Sequence, residues 1–187
     1  VTRILGISGS LRAGSHNTQL LRLAAEELPE GVELELYDEL AEIPPFDEDL
    51  VEAAPEAVER LKEAIAASDA LLVATPEFNG SIPGQLKNAV DWVSRPLMDN
   101  PARSKPVVVI GASTSSFGAI WAQQELRKVF GILGARVLDL ELPVAKADRR
   151  LDDPDPELRA RLADVVSAIV SSLDGERDDA FRSSAAA

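Results

Sequence analysis

Apolar residues follow two rhythms along this chain. Short runs such as "ALLVATP" and "KPVVVIGAS" are continuously apolar and β-rich, as a strand covered on both faces requires. Segments of this kind predict strands at Thr2–Ser8, Val32–Asp38, Ala70–Thr75, Lys105–Ser113 and Ala135–Glu141. Between and after them a 3.6-residue period predicts helices at Asn17–Leu28, Pro55–Ala67, Gly84–Ser94, Phe117–Leu133 and Pro156–Ser172. Pro29 closes the first helix, and Pro55 opens the second at a position where the missing N–H does no harm.

Strands alternating with helices predict an α/β fold: a parallel sheet with right-handed crossovers and helices on both faces, hence three layers. Five short strands suit the flavodoxin-like order 2-1-3-4-5 better than the larger six-stranded dinucleotide fold. Residues 1–173 are expected to form one domain, and the polar, alanine-ended stretch 174–187 a disordered tail. "AEIPPFDEDL" reads as one stiff surface loop.

Three loops differ from the rest. "SGSLRAGSHN" follows the first strand, "TPEFNGSIPG" the third and "GASTSSFG" the fourth, whereas the fifth leads into the plainer "LPVAKADRR". In the order 2-1-3-4-5, strands one, three and four are neighbours. Their carboxyl ends flank the switch point where such sheets bind ligands. The three loops should meet in one crevice.

Composition narrows the chemistry. Cysteine is absent and His16 is the single histidine, so disulfides, thiolate chemistry and histidine-rich metal centres are not expected. Redox work would need a borrowed cofactor. A net charge of −13 argues against a nucleic-acid partner. No apolar run approaches the roughly 20 residues of a membrane span, and a strand begins at once, so a cytoplasmic protein with no membrane association is expected.

The first loop fits neither common nucleotide cradle. Gly9 and Gly14 are spaced as in a triphosphate loop, but Ser15-His16 stands where Lys-Ser/Thr is needed. The dinucleotide fingerprint also fails, because Arg12 stands where the third glycine belongs. Asp38, at the end of the second strand, could imitate a ribose-binding acid or serve as a turn residue. What remains suits one monophosphate: hydroxyls on Ser8, Ser10 and Ser15, the Asn17 amide, and the first free N–H groups of the following helix, with Leu11 and His16 of the same loop among the candidate cofactor-binding residues. Arg12 adds the positive charge. Ser15 or Asn17 could instead cap the helix, which would account for one of them and leave the other polar groups unexplained. In the second loop Pro76 and Pro83 stiffen the backbone and Gly80 lets it approach a ligand. Phe78 offers an aromatic face or a core contact, and Asn79 could read the edge of a heterocycle.

"GSLRAGSHN", "TPEFNGSIPGQLKNAVDW" and "GASTSSFG…AQQELR" together resemble the NADPH-dependent FMN reductase family over roughly residues 3–172. The resemblance implies a flavodoxin-like fold binding FMN, with NADPH or NADH as co-substrate. It places Ser10, Arg12, Ser15 and Asn17 on the FMN phosphate. Pro76, Glu77, Phe78 and Asn79 would lie against the isoalloxazine, chiefly through backbone, with Ser113 bordering it from the other side. It implies ping-pong transfer to a small acceptor (quinone, flavin, azo compound or metal oxyanion) with the chemistry on the flavin and no catalytic side chain. A flavodoxin-type electron carrier, or a flavin-binding sensor or adaptor, is the alternative. The family resemblance also implies a homodimer or homotetramer. Trp92 and Trp121 read as core or interface residues, and the helices that bear them are expected at its interface, although Trp121 replaces a cation often found at that position.

Overall fold

The computed structural model describes residues 1–185, with side chains described as far as Asp174. The disordered tail expected over 174–187 concerns residues whose side chains, from 175 on, lie outside the described residues. The strands β1 (Thr2–Ser8), β2 (Val32–Tyr37), β3 (Ala70–Ala74), β4 (Pro106–Ala112) and β5 (Arg136–Val137) pair in parallel in the order β2-β1-β3-β4-β5. Around them run α1 (His16–Glu26), α2 (Glu56–Ala67), α3 (Gly84–Val93), α4 (Ile120–Ile132) and the closing helix 156–185. The order is flavodoxin-like, as the alternation of elements predicts. No described helix is long and apolar enough to cross a membrane.

Every residue of β3 and β4 is buried, which explains why these strands read as unbroken apolar runs. Leu71, Val73, Val107 and Val109 join a cluster with side chains of α2, α3 and α4. Their alternating neighbours Leu72, Ala74, Val108 and Ile110 join a second cluster with α1 and the closing helix. Two cores thus clamp the middle of the sheet, and the loops at its carboxyl edge stand on a rigid base.

Four expectations need correction. The fifth strand is split: Arg136–Val137 pairs with β4 at Pro106 and Val107, and a separate β6 (Pro143–Val144) pairs with it at Gly111 and Ala112. Between them the chain leaves the ladder, where Arg127 of α4 collects Asp139 at 2.6 Å, Glu141 at 3.2 Å and the Leu140 carbonyl at 3.3 Å. A short α5 (Ala147–Arg150) lies within the plain loop that follows. "AEIPPFDEDL" is anchored as well as exposed: Ile43 is buried, and Phe46 packs edge-on to Trp92 with ring centroids 5.0 Å apart. Trp92 is therefore no interface residue. It is fully buried within its own chain and donates its indole N–H to the Pro44 carbonyl at 2.9 Å.

Candidate active site

β1, β3 and β4 stand side by side, so the loops that leave their carboxyl ends meet, as the order of strands requires. In the β1–α1 loop, Ser15 caps α1 by accepting from the Thr18 N–H at 3.1 Å. Thr18 in turn donates to the Ser8 hydroxyl at 2.9 Å. These inner hydroxyls brace the loop against the helix. Above them, among the described residues, no acceptor engages the main-chain N–H of Leu11, Ala13, Gly14, His16 or Asn17. The Arg12 guanidinium is exposed and, among the described residues, makes no ion pair or hydrogen bond. Ser10 accepts only a long contact from the Arg12 N–H, at 3.4 Å.

Asn17 does something the sequence did not suggest. It is buried, donating to the Ala112 carbonyl at 3.1 Å and accepting from the Ala112 N–H at 2.9 Å. Ala112 lies beyond the last β3–β4 pair, Ala74↔Ile110. The amide thus takes the place of a ladder partner where β3 has already turned away. The Asn17 side chain is a brace between the β1 and β4 loops, and what it leaves toward an anion is its main-chain N–H.

The β3 loop closes as a two-residue hairpin. Phe78 and Ser81 exchange main-chain hydrogen bonds at 3.2 and 3.1 Å, and Asn79 and Gly80 both take positive φ, 55° and 72°. Asn-Gly is the pair that such a turn favours. Pro76 leads in, and Phe78 projects outward, 58% exposed rather than packed in the core.

Two carboxylates lock this hairpin to α4. Glu77 Oε2 accepts from the Trp121 and Ala122 N–H groups at 3.0 and 3.1 Å. It caps a helix whose own leading residue, Ala119, offers no side-chain cap. Glu125, one turn further on, accepts from the Ser81 hydroxyl at 2.6 Å and the Ile82 N–H at 3.3 Å. The Ser81 hydrogen bond, seconded by Ile82, holds the Glu125 carboxyl below its ordinary range. Glu125 was not singled out from the sequence; its only signal is its place four residues after Trp121, on the same face of the helix.

On the β4 side, Ser113 is half-buried and shares a hydroxyl contact with Ser115 at 3.1 Å. Phe117 and Trp121 follow, both exposed, with rings 4.8 Å apart. Leu11, Phe78, Phe117 and Trp121 are thus large apolar side chains left open to solvent on the three loops and the start of α4. Free donors on one strand's loop and bare aromatics on the others suit a ligand that is anionic at one end and planar at the other.

A model of the NADPH-dependent FMN reductase family matches residues 2–149. The chain belongs to this family. An NAD(P)H-dependent FMN reductase of Pseudomonas aeruginosa is 41% identical over 182 residues, covering 92% of this chain and 97% of that protein. A quinone reductase of Escherichia coli K12 is 37% identical over 139 residues, 73% of each chain. Among solved structures, FerB, a flavoenzyme NAD(P)H:(acceptor) oxidoreductase from Paracoccus denitrificans, matches with a TM-score of 0.82 and 33% identity, over 94% of this chain and 98% of that one.

This member of the NADPH-dependent FMN reductase family is an oxidoreductase, and its donor set can be tested against FMN. Unengaged N–H groups at a helix start, joined by an unpaired arginine, match a phosphate monoester. The loop hairpin leaves the Glu77, Asn79 and Gly80 N–H groups without acceptors among the described residues, as the polar edge of a flavin ring requires. The residues present fit the cofactor.

Proposed function

We propose that the chain binds FMN with its phosphate in the β1–α1 loop and its ring between the β3 and β4 loops. It passes electrons from NADPH or NADH to a small acceptor, with quinones the favoured class. The observation that carries this reading is the group of free N–H donors beside the unpaired Arg12, facing open aromatic side chains. Ser10, Arg12 and the start of α1 hold the phosphate; Pro76, Glu77, Phe78, Asn79 and Gly80 line the ring; Ser113 borders it. Bound there, FMN supplies hydride acceptance and onward electron transfer. The side chains bind, orient and shield, and none is required as an acid or base. Quinone, free flavin, azo compound and metal oxyanion would all use the same open mouth as the nicotinamide, so turnover is ping-pong. The names of the relatives support a reductase of this kind.

Arg12→Ala is expected to weaken FMN binding by roughly tenfold or more, since a charge-assisted contact contributes about 1.5–3 kcal/mol. Fluorescence titration of apoprotein measures this, with riboflavin as the phosphate-free control. Equal affinity of the wild-type chain for riboflavin and FMN would sink the phosphate assignment. Holoprotein that fails to oxidise NADPH rapidly would instead be an electron carrier.

The chain is also proposed to work as a homodimer or homotetramer. Trp121, Phe117 and Phe78 are exposed at the mouth, and Met98 and Ile132 elsewhere are 74% and 62% exposed. Apolar surface of this kind favours association. With −13 charges per chain, added salt should promote it. Sedimentation across a salt series is the measurement, and a fully active monomer at every concentration would overturn the assembly.

A further inference from the structure

β2 is the outer strand of the sheet: β1 pairs with one side of it and, among the described residues, no strand pairs with the other. The Thr2 N–H donates to the Gly31 carbonyl at 2.9 Å, which sets the phase of the β1–β2 ladder. In a parallel ladder that starts this way, the main-chain groups of Glu33 and Glu35 face β1, and those of Leu34 and Leu36 face outward. Among the described residues nothing engages the Leu34 and Leu36 N–H groups or carbonyls. Such an edge is a template for one more strand.

The side chains along that edge alternate. Val32, Leu34 and Leu36 are half-buried against the second core, while Glu33 and Glu35 are exposed on the opposite face. On that face a groove of about 600 Å³ runs between β2 and α2, with Leu5 as its floor and Glu63 on the α2 wall. Arg3 and Arg60 also line it, but Arg60 is held by Glu39 at 2.6 Å and Glu56 at 3.0 Å. Glu33, Glu35 and Glu63 form no ion pair among the described residues. The imbalance extends beyond the groove. Thirteen of the 32 acidic residues fall within residues 30–63, against two basic ones, Arg60 and Lys62. This stretch, β2 through α2, carries most of the charge of −13.

We propose that the β2 edge docks an extended segment of a partner protein in which basic and apolar residues alternate. Leu34 and Leu36 exchange main-chain hydrogen bonds with the segment, the mode in which sheet edges take up an added peptide strand. Its apolar residues lie beside Leu34 and Leu36, and its lysines or arginines beside Glu33 and Glu35 at the open side of the groove. β2 has six residues, so a segment of about 20 Å fills it. Charge decides against a second copy of this chain as the occupant. Two β2 edges paired with each other would set Glu33 and Glu35 beside glutamates on the same face, which is destabilising. The repulsion that keeps like edges apart is what selects a basic partner. β1 stands between β2 and the strands β3 and β4, so a docked segment leaves the crevice between their loops open. The proposal goes beyond the reductase reading and does not depend on what the crevice binds.

The probe is a capped hexapeptide of alternating lysine and valine, titrated into the purified protein and followed by amide NMR. A second peptide carries glutamate in place of lysine, and a third is methylated on its main-chain nitrogens. The lysine peptide is expected to bind and to shift the Leu34 and Leu36 amide resonances. The acidic peptide should bind roughly tenfold more weakly or worse, and so should the methylated one, which keeps the charge but cannot donate to the edge. Glu33 and Glu35 are exposed, so a Glu33→Lys, Glu35→Lys double variant should fold as the wild type does and prefer the acidic peptide. No binding of the lysine peptide would overturn the proposal, and so would a double variant that keeps the wild-type preference. Equal binding of the methylated peptide would reduce the contact to charge attraction and refute strand addition. Shifts confined to α2, or a peptide that displaces FMN, would put the contact elsewhere and refute it too.

Discussion

An Asn17→Ala chain is expected to lose about 2–5 kcal/mol of folding free energy before any cofactor is added. The substitution leaves the buried Ala112 N–H and carbonyl without the partners that Asn17 supplies at 2.9 and 3.1 Å. Each unsatisfied buried polar group costs about 1–3 kcal/mol. Urea unfolding of the apoprotein reads the loss directly. The result separates two roles that look alike in the holoprotein. A residue whose side chain only touched phosphate would leave apoprotein stability nearly unchanged and lower FMN affinity alone. The Asn17→Ala exchange is expected to lower both, because freeing α1 from β4 also frees the loop proposed to hold the phosphate from the Ser113 loop. An apoprotein as stable as the wild type would show that the amide is not the brace.

Asn17 also shows where the sequence stopped being legible. Its position at the head of a helix after a polar loop was visible, and its residue type suited an anion or a cap. Its partner, however, is 95 residues away on β4, and a pairing of that range leaves no local signature. The same holds for Glu77. Its place in the second loop was readable, but its side chain serves the start of α4, 44 residues on. Glu125 lies on the polar face of an amphipathic helix, where the sequence expects nothing but solvent. It acquires meaning only when the hairpin arrives beside it.

The sheet was easier to read, because continuous burial writes itself as continuous apolar sequence. β3 and β4 stand within one residue at each end of their predicted spans. The fifth strand failed for the opposite reason. "ARVLDLE" alternates as a half-buried strand should, but Asp139 and Glu141 supply carboxylates to Arg127, and the chain follows them out of the ladder. Trp92 was ambiguous by type: large aromatics fill cores and interfaces alike. Only the approach of Pro44 and Phe46 decides for the core.

The loop after β4 rests on one residue with no freedom to change, and Gly118→Ala is expected to destabilise the protein by about 2–5 kcal/mol. Gly118 takes φ +59°, where a side chain costs roughly 1–2 kcal/mol. A Cβ there would also come within 2.6 Å of the Pro143 carbonyl carbon and 2.7 Å of the Val144 nitrogen. Both are backbone atoms of β6, which is held to β4 at Gly111 and Ala112, so they cannot swing aside as a side-chain tip would. Overpacking of this kind adds roughly 1–3 kcal/mol. Relief must come from moving Phe117 and the start of α4 outward, and that motion pulls the Trp121 and Ala122 N–H groups off Glu77. FMN affinity should therefore fall together with stability, although Gly118 is buried and offers no side chain to a ligand. Gly131→Ala in the same helix is the control. A Cβ there meets nothing within 4 Å, and the exchange should leave affinity unchanged while stabilising the helix by roughly 0.5–1 kcal/mol. If Gly118→Ala unfolds in urea at the wild-type midpoint, the close approach to β6 does not hold the loop, and the route from β6 through α4 to the flavin crevice is broken.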